Sequence, residues 1–425
     1  MVFDTATIQE RQRRAAEAFG SEAPIVLVAA GEPIGKPGGH DQTYPFLAHP
    51  DYYWLSGSRR SGGILAFEPG KGWTHFVRKV DASERLWEGE VEAPEGEDLT
   101  SFAEWIEARR GRPIAALGSS EVLTVPADEQ LSKRMRERLD GVRRRKDAAE
   151  IALLRRAVEA TAAGFAKARQ VARPGVTERQ IQIELEAEMF RAGARGVGFE
   201  TIVGAGDHSA ILHFAPSERV VKPGDLVLID AGGEIADYTA DVTRTIPAGD
   251  RFTPEQQALY DIVLAAELAA IDKCRPGVEW HDVHRTAALV IAQGLKDLGV
   301  LVGDATGLAE SGAVAPFFPH GVGHMVGLRV RDVGGTAPGR PEGRMCCGAR
   351  PRVDFPLEEG FLMTVEPGAY FIPAMLGDPE RREKYKDAVR WEALEKWLPI
   401  GGVRIEDDVL VTASGPEVLT SAIPK

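Results

Sequence analysis

Hydrophobic positions along this chain follow two rhythms, and the changes between them mark out the elements. Residues 4 to 20 repeat at helical spacing, with Asp4 or Thr5 as cap and Gly20 just past the end. Ile25 to Ala29, Ile64 to Phe67, Trp73 to Val77 and Ile114 to Leu117 are short apolar runs that read as strands. Leu99 to Arg109 and Asp128 to Leu139 are helical stretches between and after them. The alternation predicts an α/β domain over residues 1–140. Its Tyr52-Tyr53-Trp54 cluster reads as core rather than as a partner surface.

The character changes near Leu139-Asp140-Gly141, and residues 141–425 read as a second, α+β domain. The segment from Val142 to Gln170 predicts a long amphipathic helix with a stripe through Ile151, Leu154, Val158, Ala162 and Phe165. A second helix, Thr177 to Ala192, opens on the capping-box pattern Thr177-x-x-Gln180. Strand-like pieces lie between Phe199 and Phe214. Thr253-Pro254-Glu255 caps a third helix through Ile271, and a fourth spans Trp280 to Leu298. From Phe317 onward, glycine, proline and apolar alternation predict an antiparallel sheet.

Composition narrows the function classes. Of 425 residues, 44% are apolar and 27% charged, which is ordinary for a globular protein with a large core. The net charge of −13, from 64 acidic and 51 basic residues, argues against nucleic acid or an anionic membrane as partner. Cys274, Cys346 and Cys347 form no Cys-x-x-Cys, so reduced thiols and a cytoplasmic setting are expected. The first twenty residues lack a signal-type apolar segment, and no apolar run has the length of a membrane span.

Candidate chemistry starts with an acidic hairpin. Leu226 to Ile229 is a strand that reads as buried on both faces, and it ends in Asp230. Ala231-Gly232-Gly233 is expected to turn the chain into the Thr-rich segment Tyr238 to Thr245, which carries Asp241. Two carboxylates ~4 Å apart repel by roughly 4 kcal/mol at an effective dielectric near 20. A divalent cation reverses that sign; solvated loop aspartates are the alternative. Pro319-His320-Gly321-Val322-Gly323-His324 spaces two histidines by four, but its glycines disfavour a helix and read as strand or loop. Glu366 closes the strand Phe361 to Val365, held extended by Pro367. Alternation in Val403-Arg404-Ile405-Glu406 puts Arg404 and Glu406 on one face, where Arg404 would steady Glu406. An oxygen-rich set with one imidazole suits two adjacent divalent ions, manganese first, with cobalt or zinc as alternatives. Such a pair, about 3.5–4 Å apart, shares a hydroxide and polarises a carbonyl, which is hydrolytic chemistry.

In order and flanking residues, these motifs resemble the pita-bread metallopeptidases of the Xaa-Pro branch, prolidase first and aminopeptidase P next. The resemblance covers roughly residues 140 to 415, and more faintly a creatinase-like N-terminal domain. It implies an α/β creatinase-like domain followed by an α+β pita-bread catalytic domain. It implies Asp230 as a terminal ligand of one metal, Asp241 and Glu406 as bridges, and His324 and Glu366 on the second metal. Glu366 would also shuttle a proton. His213 matches a substrate-pocket histidine, His320 one that stabilises the oxyanion, and Tyr370 and Arg404 residues flanking the ligand glutamates. The implied partners are small proline-containing peptides and a second copy of the chain in a homodimer.

Two features resemble prolidases in particular: the 40 positions between Glu366 and Glu406, and Arg352, near where those enzymes pair an arginine with the substrate's proline carboxylate. The expectation is therefore an Xaa-Pro dipeptidase acting through a metal-bridging hydroxide. Aminopeptidase P-type release of the N-terminal residue, a non-peptidase enzyme on the fold and a non-enzymatic binding module are the alternatives. Arg331 departs from the pattern, standing where the family usually has a histidine; it cannot act as an acid–base group near neutral pH, but it can bind a carboxylate. Phe199 likewise stands where some relatives have tyrosine.

Overall fold

Side-chain caps decide where the helices begin. The computed structural model of the protein describes every residue except 1, 90, 92 and 93. Asp4 accepts the Thr7 N–H ahead of the helix Thr5–Phe19. Reciprocal capping boxes open Ala148–Val171 (Asp147 with Glu150), Glu178–Arg191 (Thr177 with Gln180) and Pro254–Asp272 (Thr253 with Gln256). The first of these boxes corrects an expected boundary. Asp147, not Val142, starts the long helix, and Val142 to Arg144 belong to the preceding helix, Glu129–Arg144. That helix runs straight through Gly141, where a side chain would meet nothing within 4 Å. Likewise, the helix expected over Leu99 to Arg109 is a 3₁₀ turn, Leu99–Ser101, followed by a short α-helix, Phe102–Glu107.

The chain divides into two compact units, Met1–Arg143 and Arg144–Lys425. In the first unit, a five-stranded sheet has the order Glu97–Asp98, Gly72–Val77, Ile64–Glu68, Ile25–Ala29, Ile114–Gly118. Ile25–Ala29 pairs antiparallel with Ile64–Glu68 and parallel with Ile114–Gly118. Tyr52, Tyr53 and Trp54 lie on the helix Pro50–Ser56 and are fully buried, and the Tyr52 hydroxyl meets His75 Nε2 at 2.7 Å.

In the second unit, Leu226–Ala231 is the middle strand of three, between Ile202–Ala205 and Val242–Pro247. A second antiparallel set joins Leu362–Val365, Asp407–Thr412 and Gly415–Val418. The helices Pro254–Asp272 and Trp280–Asp297 contribute Leu259, Val263, Ala288 and Ile291 to the larger hydrophobic core. The β character expected from Phe317 onward is only partly realised. Residues 317–334 make isolated bridges such as Met325 with Met363, and short helices, Pro373–Leu376 and Pro379–Lys384, occupy the stretch before Gly402–Arg404.

The acidic hairpin reverses later than its glycines suggest. Leu226–Ala231 pairs with Val242–Pro247, placing Thr243 opposite Asp230, and then continues as Gly233–Ile235 against Tyr238–Thr239. The turn falls on Ala236 and Asp237, with φ of 56° and 71°, the signature of a two-residue hairpin loop. Gly232 serves close approach instead: a Cβ there would sit 1.7 Å from the Ala240 carbonyl oxygen, beside Asp241. Gly232→Ala should therefore destabilise the second unit by roughly 1–3 kcal/mol through overpacking against backbone. Denaturant unfolding of the variant against the parent chain checks this.

Candidate metal centre

Each of the four predicted ligand carboxylates sits where a strand ends or breaks. Asp230 is the penultimate residue of its strand, and its backbone pairs with Ile202 on one side and Thr243 on the other. Asp241 lies in the gap between Tyr238–Thr239 and Val242–Pro247, and its N–H donates to Asp408 Oδ2 at 3.1 Å. Glu366 follows Leu362–Val365, and its N–H donates to the Val322 carbonyl at 2.8 Å. Glu406 falls between Gly402–Arg404 and Asp407–Thr412, bridged backbone to backbone with Thr243.

The side chains converge on one cavity of about 800 Å³. Asp230, Asp241, His324, Glu366 and Glu406 all line it, with His213, His320, Arg331, Arg352, Arg404 and Phe199. The tightest group is Asp241, His324 and Glu406, each bringing one ligand atom within 4.8 Å of the others. His324 Nε2 is 3.4 Å from Asp241 Oδ2 and 3.8 Å from Glu366 Oε1. Tyr370 does not line the cavity; it is fully buried behind His320 and Arg404.

The donor set fits a cation. His324 Nδ1 lies 3.0 Å from the Met325 carbonyl, so it carries the proton and leaves the Nε2 lone pair facing carboxylate oxygens. Lone pair against carboxylate is repulsive unless a proton or a metal ion lies between, and a backbone-anchored imidazole is the usual form of a metal-ligating histidine. Asp230 Oδ1 is buried and has no hydrogen-bond partner among the described residues. Burial, then the neighbouring carboxylates, Glu406 foremost, hold the Asp241 carboxyl well above the usual carboxylate range. Burial does the same to Glu406 and pushes Glu366 up to about 7. Burial also pushes His324 and His320 down to about 3.

The charge of Arg404 favours ionised Glu406, as expected, but its hydrogen bonds go elsewhere. Its guanidinium donates to Asp230 Oδ2 at 2.7 Å, to the Tyr370 hydroxyl at 3.1 Å and to Thr243 Oγ1 at 3.1 Å. Glu406 is held instead by the Thr243 hydroxyl, which donates to Oε2 at 2.7 Å. The reason is register: Thr243 faces both Asp230 and Glu406, so it comes between Arg404 and the glutamate. Both ring nitrogens of His320 are engaged. Nδ1 meets the Gly321 carbonyl and Nε2 the Tyr370 hydroxyl, both at 2.9 Å, so donation to an oxyanion requires the ring to give up one partner. Arg331 and Arg352 are exposed at the rim, and neither has a carboxylate within ion-pair distance among the described residues. Sequence reasoning missed Thr243, Asp408 and Thr364, whose hydroxyl oxygen accepts the His324 N–H at 3.1 Å. The only available signals were the threonine-rich run and the doubled Asp407-Asp408 after Glu406.

The chain is similar to known proteins along most of its length. The model of metallopeptidase family M24 matches residues 152–413, and that of the aminopeptidase P N-terminal domain matches residues 8–104. The Xaa-Pro aminopeptidase of Escherichia coli K12 is 32% identical, over 98% of this chain and 95% of its own. A probable Xaa-Pro aminopeptidase of Aspergillus terreus is also 32% identical, over 99% of this chain and 91% of its own. Among solved structures, Pseudomonas aeruginosa aminopeptidase PepP superposes with a TM-score of 0.80 at 30% identity, covering 100% of this chain and 97% of that one. Zinc-substituted E. coli aminopeptidase P in complex with product gives 0.79 at 27% identity, covering 98% and 96%.

Crowded carboxylates make the ion-free protein sensitive to charge removal. A carboxyl raised in the folded state adds stability below its unfolded pKa and loses it as pH rises through the folded value. For Glu366 that window runs from 4.5 to about 7. In chelator at pH 8, Glu366→Gln should therefore be more stable than the parent chain, by up to roughly 3 kcal/mol. The difference should vanish below pH ~4.5, where the parent's carboxyl is neutral in both states. With manganese present the order should reverse; thermal unfolding across pH reads all three.

Proposed function

The chain belongs to metallopeptidase family M24, in its pita-bread Xaa-Pro branch, and from that membership we propose that it is an Xaa-Pro aminopeptidase, releasing the N-terminal residue from peptides with proline second. The observation that carries this reading is the extent of the match: the relatives named for that activity align along nearly the whole chain, N-terminal unit included. The dipeptidase expectation thereby yields to the aminopeptidase alternative. It leaned on the long connection between Glu366 and Glu406, yet among the described residues none of 371–400 lines the cavity.

Asp230, Asp241, His324, Glu366 and Glu406 would hold two divalent ions, with manganese the first choice for an oxygen-rich set. Bound there, such ions supply a Lewis acid for the scissile carbonyl and acidify a water. Around them the protein's own groups divide the work. Arg404 holds Asp230 in place and neutralises one of the four carboxylates. Glu366, beside His320 at 3.9 Å, is placed to take and return a proton. His213, whose pKa burial and then the Arg404 charge lower, stays neutral to accept or donate a hydrogen bond to the peptide. Arg331 and Arg352, with no carboxylate within ion-pair distance among the described residues, would read a carboxylate of the substrate. A cytoplasmic homodimer completes the reading. The three cysteines form no disulfide, and among the described residues no helix is long and apolar enough to cross a membrane.

Manganese-loaded protein should release free alanine from Ala-Pro-Yaa tripeptides faster than from Ala-Pro, and chelator should abolish both activities. Cleavage confined to Ala-Pro would return the assignment to the dipeptidase. Replacing Arg331 and Arg352 together by Met should raise KM for a tripeptide about tenfold, the equivalent of ~1.4 kcal/mol. Manganese affinity should be unchanged, which separates substrate reading from metal holding.

A further inference from the structure

We propose that His284 is a positioning residue for the candidate centre: from the helix Trp280–Asp297, its Nδ1 accepts the Val322 N–H and so fixes the loop that joins His320 to His324. The bond is 3.1 Å, and both residues are fully buried. Because the donor is a backbone N–H, Nδ1 must carry the lone pair, and the proton of the neutral ring sits on Nε2. Burial pushes the His284 pKa down to about 4, so the ring keeps its acceptor through the neutral range.

Val322 is used on both sides of its backbone. Its N–H goes to His284, and its carbonyl accepts the Glu366 N–H at 2.8 Å. The residue lies two positions after His320 and two before His324. One imidazole on a core helix therefore sets the height of a segment that carries two functional histidines and is pinned to a third site residue. The ring also packs towards the same segment. Phe318 lies against it at 5.2 Å between centroids, and Phe318 in turn meets the His320 ring edge-on at 5.1 Å. Histidine is not required on this helix for packing: its neighbours on the same buried face are Ala287, Ala288 and Ile291. An apolar residue would fill the space but leave the Val322 N–H buried without an acceptor.

The experiment compares three full-length variants. His284→Asn keeps an acceptor close to the place of Nδ1, His284→Gln carries it further out, towards the place of Nε2, and His284→Leu removes it. The inference rests on the peptidase reading for its rate measurement only, so manganese affinity by calorimetric titration is read alongside. Expected for Gln and Leu are a kcat on Ala-Pro-Ala reduced about tenfold or more with KM within about threefold, and manganese affinity weakened about tenfold. The Asn variant should stay within about threefold of the parent on every measure. A folded Leu variant with parental kcat and affinity overturns the proposal, as does an Asn variant as impaired as Leu. If the Leu variant does not fold, Asn against Gln decides, and equal losses overturn it. If the parent chain cleaves no Xaa-Pro peptide, the functional reading fails, and the affinity pattern across the variants judges His284 alone.

Discussion

Like charges held close together in a buried place are the constraint on which the second unit is built. Four carboxylates line one cavity, and burial raises three of them towards their neutral forms. The chain relieves the fourth itself, through the Arg404–Asp230 ion pair. For the rest it supplies directional holds that keep the oxygens facing one another: the Thr243 hydroxyl on Glu406, the Asp408 carboxylate on the Asp241 N–H and the Val322 carbonyl on the Glu366 N–H. None of these makes the cluster favourable. They make it specific, and a bound cation would make it stable.

Strand ends solve the placement problem. A regular strand buries its side chains against neighbouring layers, whereas the residue just beyond it is still fixed by the sheet and can face open space. Asp241, Glu366 and Glu406 each stand in such a gap, and Asp230 is one residue short of one. Gly232 permits the crossing of backbones that brings the Asp230 and Asp241 segments together.

Much of this was legible in residues alone. Capping patterns located the helices at Thr177 and Thr253, because a cap is a local bond between residues three apart. The unbroken apolar run before Asp230 announced a central strand. What could not be read were relations across long separations. Arg404 is two positions from Glu406 in sequence yet reaches Asp230, 174 positions away, because Thr243 intervenes. The turn was misplaced for a related reason. Glycines at 232 and 233 look like a reversal, but Gly232 is demanded by a backbone that comes alongside only after folding, while the residues that do turn are an alanine and an aspartate.

The strands around the last two glutamates carry a further meaning. Gly368–Tyr370 pairs antiparallel with Gly402–Arg404, with Tyr370 opposite Gly402, so the thirty-odd residues between leave and re-enter the fold at almost the same point. Such an excursion is a closed loop hung on a two-strand clasp, and loop length enters closure entropy only logarithmically. The excursion is nonetheless packed: Phe371, Tyr385, Val389, Trp391, Leu394 and Trp397 are buried in the larger core, and Leu301 bridges Val389. The clasp thus fixes both glutamates at one end of a segment that serves the core, and among the described residues none of 371–400 reaches the cavity.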